Sequence, residues 1–328
     1  MKMNSSHISF EDGRCIQPVN KSRSVPVYWI NLQKSIFRRN YYSYQLDNMG
    51  FENQRIKATT RIDSVLLNSL INVVPRVQHT PFELSCVISH LIAIHTAIYD
   101  SNPERSGNPY ALITEDDVDF EMDVDLLTLA ENAPSGFGSL QLITSNSVYV
   151  RELWLSFAKK LRIARSKIGF QPSFPHKFIW TARTHNSPYW STQAYIINKK
   201  VVRPFIDKVV KYDNATAEYS ITIVNPSEKD FPCASKKNCM LPYRIVSDLY
   251  IFSGCQPAYI TNIPIFNGAI VGANSTIHTR KNNDAYHAKA FKEIAKILQD
   301  VRKNETLLPD YIRLKKNCIK KRKQNEVL

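Results

Sequence analysis

The chain has 328 residues, of which 43% are hydrophobic and 11% aromatic, so it can bury a large α/β core and is neither disordered nor fibrous. Its apolar runs are shorter than the roughly 20 residues that a membrane-spanning helix needs, and its N-terminus lacks the apolar run of a secretory signal. Six cysteines without a CxxC pair favour a reduced environment. We therefore expect a soluble, cytoplasmic protein without a transmembrane segment.

A formal charge of +14 raises the alternative of a nucleic-acid-binding protein. Seven of the positive charges lie between Arg313 and Lys323 with no acid among them. We interpret 306–328 as a basic tail, which is either a solvated end or a tether to an anionic surface that would place the protein peripherally at a membrane. The remaining positive excess suits a site that receives a diphosphate.

The first elements in chain order predict a β-α-β unit. Residues 1–24 are polar and aperiodic and predict an irregular leader, whereas the apolar segment VPVYWINL that follows predicts a buried strand. A helix is predicted over 34–49, with Phe37, Tyr41 and Tyr44 on one face. The glycine at position 50 is placed to end this helix, and the segment NQRIKA that comes next predicts the second strand.

The next helix has a clear start signal. Thr80, Pro81 and Glu83 supply an N-cap, a proline in the first turn and the partner of a capping box, and the helix is predicted to run to about residue 99. The segment 110–114 (YALIT) then predicts a central strand that ends directly at the acidic run EDDVDF. Strands that alternate with helices predict a mostly parallel sheet flanked by helices.

The rest of the chain is predicted as one domain with the first half. The next segments are interpreted as a strand at 140–144, a loop-rich stretch at 146–190, a strand at 193–198 and a helix at 199–211. They are followed by an insertion at 214–240, two short strands at 249–252 and 258–264, and an amphipathic helix at 283–303. The predicted domain covers 25–305, with a donor half at about 25–145, an acceptor half at about 146–280 and the last helix closing it.

Three consecutive acids, Glu115, Asp116 and Asp117, follow the central strand. Open α/β sheets bind ligands beside the carboxyl ends of their strands. Carboxylates are hard ligands suited to Mg²⁺ or Mn²⁺, and a metal held there would stabilise the negative charge on a departing diphosphate. Acid clusters also occur on solvated turns, so the triplet by itself leaves both interpretations open.

Several motifs, taken in order, resemble those of glycosyltransferase family 25, which includes bacterial lipooligosaccharide galactosyltransferases and procollagen galactosyltransferases. The resemblance covers about 25–278 and rests on five motifs. They are VYWINLQKSIFRR (27–39), FELSCVISHLIAIHTAI (82–98), ALITEDDV (111–118), WSTQAYIINKKVVRPFI (190–206) and YRIVSDLYI (243–251). Some positions depart from the family pattern. Two family glycines are replaced by Phe82 and Ser85, and a small Gly-Ala pair is replaced by Lys200 and Val201.

The resemblance implies a GT-A-like, Rossmann-type α/β fold with a loop-rich C-terminal acceptor part. It also implies Mn²⁺ or Mg²⁺, a uridine diphosphate (UDP) sugar as donor, and inversion at the anomeric carbon. The expected reaction moves a hexose, galactose or glucose, to a hydroxyl of a glycan, glycolipid or protein acceptor. A catalytically inactive, glycosyltransferase-like binding protein is a further alternative.

The site residues follow from the matched motifs. We expect Asp117 and Asp116 to bind the metal, with His278 as a third contact to the metal or a phosphate, and Asp248 to act as the catalytic base. The expected donor-binding residues are Asn31, Leu32, Arg38, Arg39, His90, Glu115 and Asp116.

Purely structural roles remain open for several of these residues. His90 is equally compatible with a buried structural role, and Asp248 with a cap at the start of a strand. Trp190 and Tyr195 are candidates for stacking on a sugar or for core packing.

Overall fold

A computed structural model describes residues 24–60, 81–168, 179–184, 187–223, 246–268, 281–303, 308–309 and 311–314. These ranges do not include Thr80, His278, most of the predicted leader or the tail beyond residue 314. What the sequence predicts for them therefore stays a prediction.

Seven strands form the central sheet in this part of the chain. Side by side they are β2 (Asn53–Lys57), β1 (Val27–Asn31), β3 (Tyr110–Glu115), β8 (Ala194–Asn198), β6 (Ser139–Gln141), β11 (Ala258–Thr261) and β7 (Trp180–Arg183). β1 is parallel to β2 and β3, and β11 is parallel to β6. β8 runs antiparallel to β3 and β6, and β7 antiparallel to β11. Five strands thus share one direction, which confirms the predicted α/β fold with a mixed, mostly parallel sheet.

Three antiparallel strand pairs lie outside the central sheet in the described ranges. They join β4 (Val118–Phe120) to β12 (Phe266–Gly268), β5 (Met122–Val124) to β13 (Ile312–Leu314), and β9 (Val210–Asp213) to β10 (Glu218–Ile221). The pairing of β4 with β12 fixes the second half of the acidic run EDDVDF, directly after its three consecutive acids.

Helices cover both faces of the sheet. They are α1 (Ile36–Met49), α2 (Pro81–Ile98), α3 (Pro103–Ser106), α4 (Leu126–Glu131), α5 (Ser147–Ile168), α6 (Lys199–Val209), α7 (Ser247–Gly254) and α8 (Lys281–Lys303). Successive strand residues point to opposite faces, so Tyr28 packs with α2, α6 and α7, whereas Trp29 packs with α1, α4, α5 and α8. The sheet therefore separates two hydrophobic cores, and both contain residues from the predicted donor and acceptor halves.

Helix α1 ends where the sequence predicts. Gly50 adopts the left-handed conformation with φ 71°, and its N–H bonds back to the carbonyls of Asp47 and Leu46. The face that holds Phe37, Tyr41 and Tyr44 is not the face that this helix buries most fully. Phe37 and Tyr44 are 48% and 47% exposed, because the helix turns a different stripe, Tyr41, Tyr42, Gln45, Leu46 and Met49, toward the sheet.

The loop-rich interpretation of 146–190 is wrong for its first half, where α5 extends over 22 residues. Its buried residues Val150, Trp154, Phe157 and Leu161 recur at spacings of three and four, the signature of an amphipathic helix. The intervening polar and basic residues occupy its other side and obscure this period in the sequence.

The predicted strand at 249–252 is also wrong, because these residues lie in helix α7. A short, continuous apolar run such as LYIF fits a buried strand and a buried helix equally well. Tyr250, Ile251 and Phe252 are all buried against the face of the sheet that α2 covers. The strand predicted at 140–144 is shorter than expected and ends at Gln141.

Helix α2 is long and apolar enough, by length and composition alone, to cross a membrane. In the fold it packs against β1, β3, α6 and α7, and residues on several of its sides are buried. Core helices pass the same length and composition test, and this packing is that of a core helix.

Two leucines of α5 give a matched test of its packing. Leu161 is 1% exposed and Leu155 is 53% exposed. We expect Leu161→Ala to lower the free energy of unfolding by about 2–5 kcal/mol, because it leaves a cavity in the core, and Leu155→Ala to change it by less than about 0.5 kcal/mol. Urea denaturation measures both values, and equal losses would contradict the orientation of this helix.

Candidate active site

The acidic run lies where the ends of three neighbouring strands meet. Asn31 ends β1 and Glu115 ends β3, and these two strands are parallel neighbours with Ile30 opposite Glu115. The antiparallel strand β8 begins beside the end of β3, where the Glu115 N–H donates to the Gln193 carbonyl at 2.8 Å. One edge of the sheet therefore collects side chains from distant parts of the sequence.

One face of helix α1 holds the acidic run in place. Arg38 bridges two carboxylates, with Nη2 at 3.2 Å from Asp116 Oδ1 and Nη1 at 3.1 Å from Asp117 Oδ2. One turn later, the Tyr42 hydroxyl donates to Thr114 Oγ1 at 2.8 Å. Gln45 and Tyr41 donate to the same oxygen of Asp119, each at 3.0 Å. Positions 38, 41, 42 and 45 share a helix face, so this helix fixes the acidic run from Thr114 onwards.

Asp116 is held on both carboxylate oxygens. Asn31 Nδ2 donates to Oδ2, and Arg38 contacts Oδ1. Arg55 Nε donates to Asn31 Oδ1 at 3.0 Å, which turns the amide so that its NH₂ group faces Asp116. Burial raises the pKa of Asp116 above its usual value, while Arg38 and the hydrogen bond from Asn31 oppose the rise.

Asp117 is the most accessible of the three acids, with 26% of its side chain exposed. It accepts hydrogen bonds from Arg38 and, at 3.1 Å on Oδ1, from Gln193 Nε2. Burial and the neighbouring charge of Glu115 raise the pKa of Asp117 to about 7 although Arg38 opposes the rise. Burial and like charge thus both disfavour the ionised form of Asp117.

Glu115 faces helix α2 rather than α1. Its Oε1 lies 3.4 Å from His90 Nε2 and 3.2 Å from the Thr192 hydroxyl. Burial raises the pKa of Glu115, but the hydrogen bonds and charge of its partners, His90 foremost, outweigh burial and leave it below its usual value. His90 Nδ1 in turn lies 3.0 Å from the Tyr195 hydroxyl. Tyr195 is fully buried, so it supports His90 and has no surface on which a sugar could stack.

The donor set of this cluster suits a hard divalent cation. Asp116 and Asp117 offer only oxygen ligands, as Mg²⁺ and Mn²⁺ prefer, and such an ion would favour the ionised form of Asp117 against burial and the charge of Glu115. Asp117 fits best, since its side chain is more exposed than that of Asp116.

A cavity of about 250 Å³ lies beside the acids. Its wall includes Ile30, Leu32, Arg38, His90, Glu115 and Asp116. Phe82 and Ser85, the two residues that replace glycines of the family motif, also line it. The cavity therefore adjoins most of the predicted donor-binding residues and the positions that depart from the motif.

Asp248 lies in the first turn of helix α7, next to Ser247, which begins the helix. The Thr192 hydroxyl lies 3.1 Å from the Ser247 hydroxyl, and the Thr192 hydroxyl also contacts Glu115. The Asp248 carboxylate accepts N–H bonds from Leu249, at 3.1 Å, and from Ser191. Burial raises the pKa of Asp248, and the charge of Arg183 opposes the rise.

Comparison with known protein families identifies the family of the chain. The model of glycosyltransferase family 25, described as an LPS biosynthesis protein, matches residues 24–220. The chain belongs to glycosyltransferase family 25. Membership supports glycosyltransferase activity in LPS biosynthesis, and the matched range contains every residue of the acidic cluster. It ends before Asp248. No curated protein sequence matches the chain significantly.

Arg183 lies beside the candidate site, and the sequence did not single it out. It ends β7 and is 3% exposed, with Nη2 donating to the Asp248 carbonyl at 2.9 Å and Nη1 to Gln141 Oε1 at 2.6 Å and to the Tyr189 carbonyl. Its guanidinium lies 4.3 Å from the Phe252 ring centroid. Burial lowers the pKa of Arg183 to about 10. In the sequence, only the short segment WTAR, which it ends, marks it.

The remaining predicted residues lie at different distances from the acids. Leu32 lines the cavity. Arg39 is half-buried, and its charge lowers the pKa of Arg55, but the described residues show no ion pair between Arg39 and the acids. Trp190 is 45% exposed. Its carbonyl accepts hydrogen bonds from Ser145 N and Thr144 Oγ1, so hydrogen bonds fix the backbone that carries the exposed indole.

The raised pKa of Asp117 predicts a pH dependence of stability. Between about pH 4, where an unfolded aspartate ionises, and about pH 7, the folded protein keeps a proton that the unfolded chain releases. Stability of the metal-free protein should therefore fall as the pH rises through this window. Asp117→Asn removes the titrating group, so the stability of wild type relative to this variant should be lower at about pH 8 than at about pH 5.

Urea unfolding in the presence of a chelator measures this difference. The comparison within one pair of proteins cancels the titration of groups that both share. A difference that does not change with pH would show that Asp117 has an ordinary pKa in the folded protein.

Proposed function

We propose that the chain is an inverting glycosyltransferase that moves a hexose, galactose or glucose, from a UDP-sugar to a hydroxyl of a saccharide acceptor, with Mn²⁺ or Mg²⁺ at the diphosphate. The observation that carries the proposal is the pair Asp116 and Asp117, held by Arg38 at the strand ends beside the cavity. The family's description as an LPS biosynthesis protein favours a glycan or glycolipid acceptor over a protein.

Asp117 is the proposed main ligand of the metal, with Asp116 beside it. When bound, the ion stabilises the negative charge that develops on the departing diphosphate. Asn31 and Gln193 keep the two carboxylates oriented, because each donates a hydrogen bond to one of them. The Arg38 guanidinium lines the cavity and bridges both acids, so it is placed to bind phosphate oxygens as well.

The cavity is the proposed site of the nucleoside. Asn31 and Leu32 at the end of β1 are proposed to contact the base through backbone groups. His90 and Glu115 also line the cavity and are proposed to contact the ribose, where the lowered pKa keeps Glu115 ionised and able to accept hydrogen bonds. Phe82 and Ser85 narrow the cavity relative to the glycines of the motif and so would restrict which donor fits.

Asp248 is the proposed base that removes the proton of the acceptor hydroxyl. Inversion requires attack on the anomeric carbon from the face opposite the diphosphate, so base and metal must act from different sides. Asp248 belongs to α7, whereas the metal-binding acids follow β3. Its raised pKa makes the carboxylate a stronger base, while Arg183 keeps the rise in check.

Trp190 is the proposed platform for the acceptor sugar. Aromatic rings bind the apolar face of a hexose, and nearly half of this side chain is exposed. Ser191, the next residue, has φ 126° and gives its N–H to Asp248. A serine with such a φ is strained, and strain of this kind is retained where the surrounding contacts fix the backbone.

Donor binding gives the first test. With Mn²⁺, UDP-galactose or UDP-glucose should raise the melting temperature and be hydrolysed slowly. Asp117→Asn should lower this turnover by about 100-fold or more, because the site loses charge stabilisation of the leaving group. Asp300→Asn, a change of the same chemistry at an exposed position of α8, should leave it unchanged.

The proposal fails if no UDP-sugar stabilises the protein with or without Mn²⁺ and Asp117→Asn has no effect. Binding of RNA or DNA that falls steeply with salt, together with no response to UDP, would instead favour the nucleic-acid-binding alternative.

The base gives a separate test. Asp248→Asn should lower the rate of sugar transfer by about 10²–10⁴-fold, since general base catalysis is lost, while the thermal stabilisation by UDP and Mn²⁺ stays. Transfer to a panel of glycan acceptors measures the first, and thermal shift the second. If transfer survives this substitution, the base is another residue.

A further inference from the structure

A second group of metal-ligand atoms lies in the wall of the same cavity. The Cys86 sulfur, a ring nitrogen of His90 and a carboxylate oxygen of Glu115 all lie within 4.8 Å of one another. Cys86 and His90 are one turn apart on α2, so their side chains share a helix face, and Glu115 ends β3 opposite them. This group contains neither Asp116 nor Asp117.

The distance between the nitrogen and the oxygen of this group fits a four-coordinate ion. Zn²⁺ binds histidine nitrogen and carboxylate oxygen at about 2.0–2.2 Å, and a tetrahedral angle then places these two atoms about 3.4 Å apart. His90 Nε2 and Glu115 Oε1 are 3.4 Å apart. The sulfur of Cys86 would complete the set at a longer bond of about 2.3 Å.

The chemistry of the three atoms selects the kind of ion. Sulfur and imidazole nitrogen favour Zn²⁺ and similar borderline-soft cations, whereas Mg²⁺ and Mn²⁺ favour oxygen alone. Three protein ligands leave a fourth position open, and all three residues line the cavity, so that position can face it.

Neighbouring groups orient the ligands as they do in known zinc sites. With His90 Nδ1–H donating to the Tyr195 oxygen at 3.0 Å, Nε2 presents its lone pair toward Glu115 and Cys86. Tyr195 is fully buried and cannot swing away. The Thr192 hydroxyl lies 3.2 Å from Glu115 Oε1, the same oxygen that faces His90, and helps to orient the carboxylate.

We propose that Cys86, His90 and Glu115 bind a divalent cation of the Zn²⁺ class at a site separate from Asp116 and Asp117. The site itself does not depend on the enzymatic activity. One consequence rests on the proposed function: because His90 and Glu115 also line the donor cavity, an ion bound there competes with the donor and inhibits the enzyme.

Cobalt is the probe for the site, since Co²⁺ takes the place of Zn²⁺ and gives a strong near-ultraviolet band when bound to a thiolate. Wild type titrated with Co²⁺ should develop this band, and Zn²⁺ should abolish it by displacement. Cys86→Ser should lose the band while keeping the other five of the six cysteines in the chain. Cys255→Ser, at a buried thiol that does not belong to the group, should keep it.

Two further variants separate this site from the hard-cation site and from a general loss of structure. Asp117→Asn should keep the cobalt–thiolate band although it loses Mn²⁺-dependent donor hydrolysis. Tyr195→Phe should keep the band but weaken Zn²⁺ affinity about 10–100-fold, because the hydrogen bond that orients His90 is lost. Circular dichroism and melting temperature establish that each variant is folded.

The outcomes distinguish failure of the site from failure of the proposed function. A band of equal strength in wild type and Cys86→Ser, or no band in wild type, overturns the site. If the band behaves as expected and Zn²⁺ inhibits donor hydrolysis equally in wild type and Cys86→Ser, the site stands and the competition is overturned. A protein that hydrolyses no donor still reports on the site through the cobalt spectrum.

Discussion

The site depends on one electrostatic constraint, the bridging of two adjacent carboxylates by Arg38. Like charges at neighbouring positions repel, and in a partly buried cluster the repulsion is weakly screened. Arg38 offsets it because helix α1 lies along the acidic run, anchored by the Tyr42 hydroxyl on Thr114. Burial and the charge of Glu115 still raise the pKa of Asp117. A divalent cation at these carboxylates, which could in turn bind an anionic diphosphate, is therefore part of the proposed function.

The second constraint is topological. β8 runs antiparallel between β3 and β6, so it begins at the edge of the sheet where β3 ends. The segment that leads into β8 therefore reaches three acids, Asp248, Glu115 and Asp117. Ser191 donates to Asp248, Thr192 contacts Glu115 and Gln193 donates to Asp117. The proposed metal ligands and the proposed base are thus joined through one short stretch of backbone, and a shift of this segment would move both.

Glu115 contacts a different helix and a different kind of side chain from the two acids that follow it. Asp116 and Asp117, which follow it, turn toward α1 and its arginine, whereas Glu115 turns toward α2 and its histidine. The reason is geometric. Glu115 is the last residue of β3 and points to the face that α2 covers, whereas Asp116 and Asp117 lie in the turn that follows, beside α1. This difference separates an all-oxygen group of side chains from one that contains sulfur and nitrogen.

The sequence by itself determined the elements with strong local signals. Gly50 ends α1, the apolar segment YALIT forms β3, and the acids follow it, because capping, strand propensity and strand order act between near neighbours. Only the tertiary structure decided which faces are buried and which distant residues meet. The apolar run at 249–252 became a helix, and Arg183 met Asp248 across 65 positions. A buried cation with carbonyl partners leaves no periodic trace in a sequence, because its position depends on contacts that form only when the chain has folded.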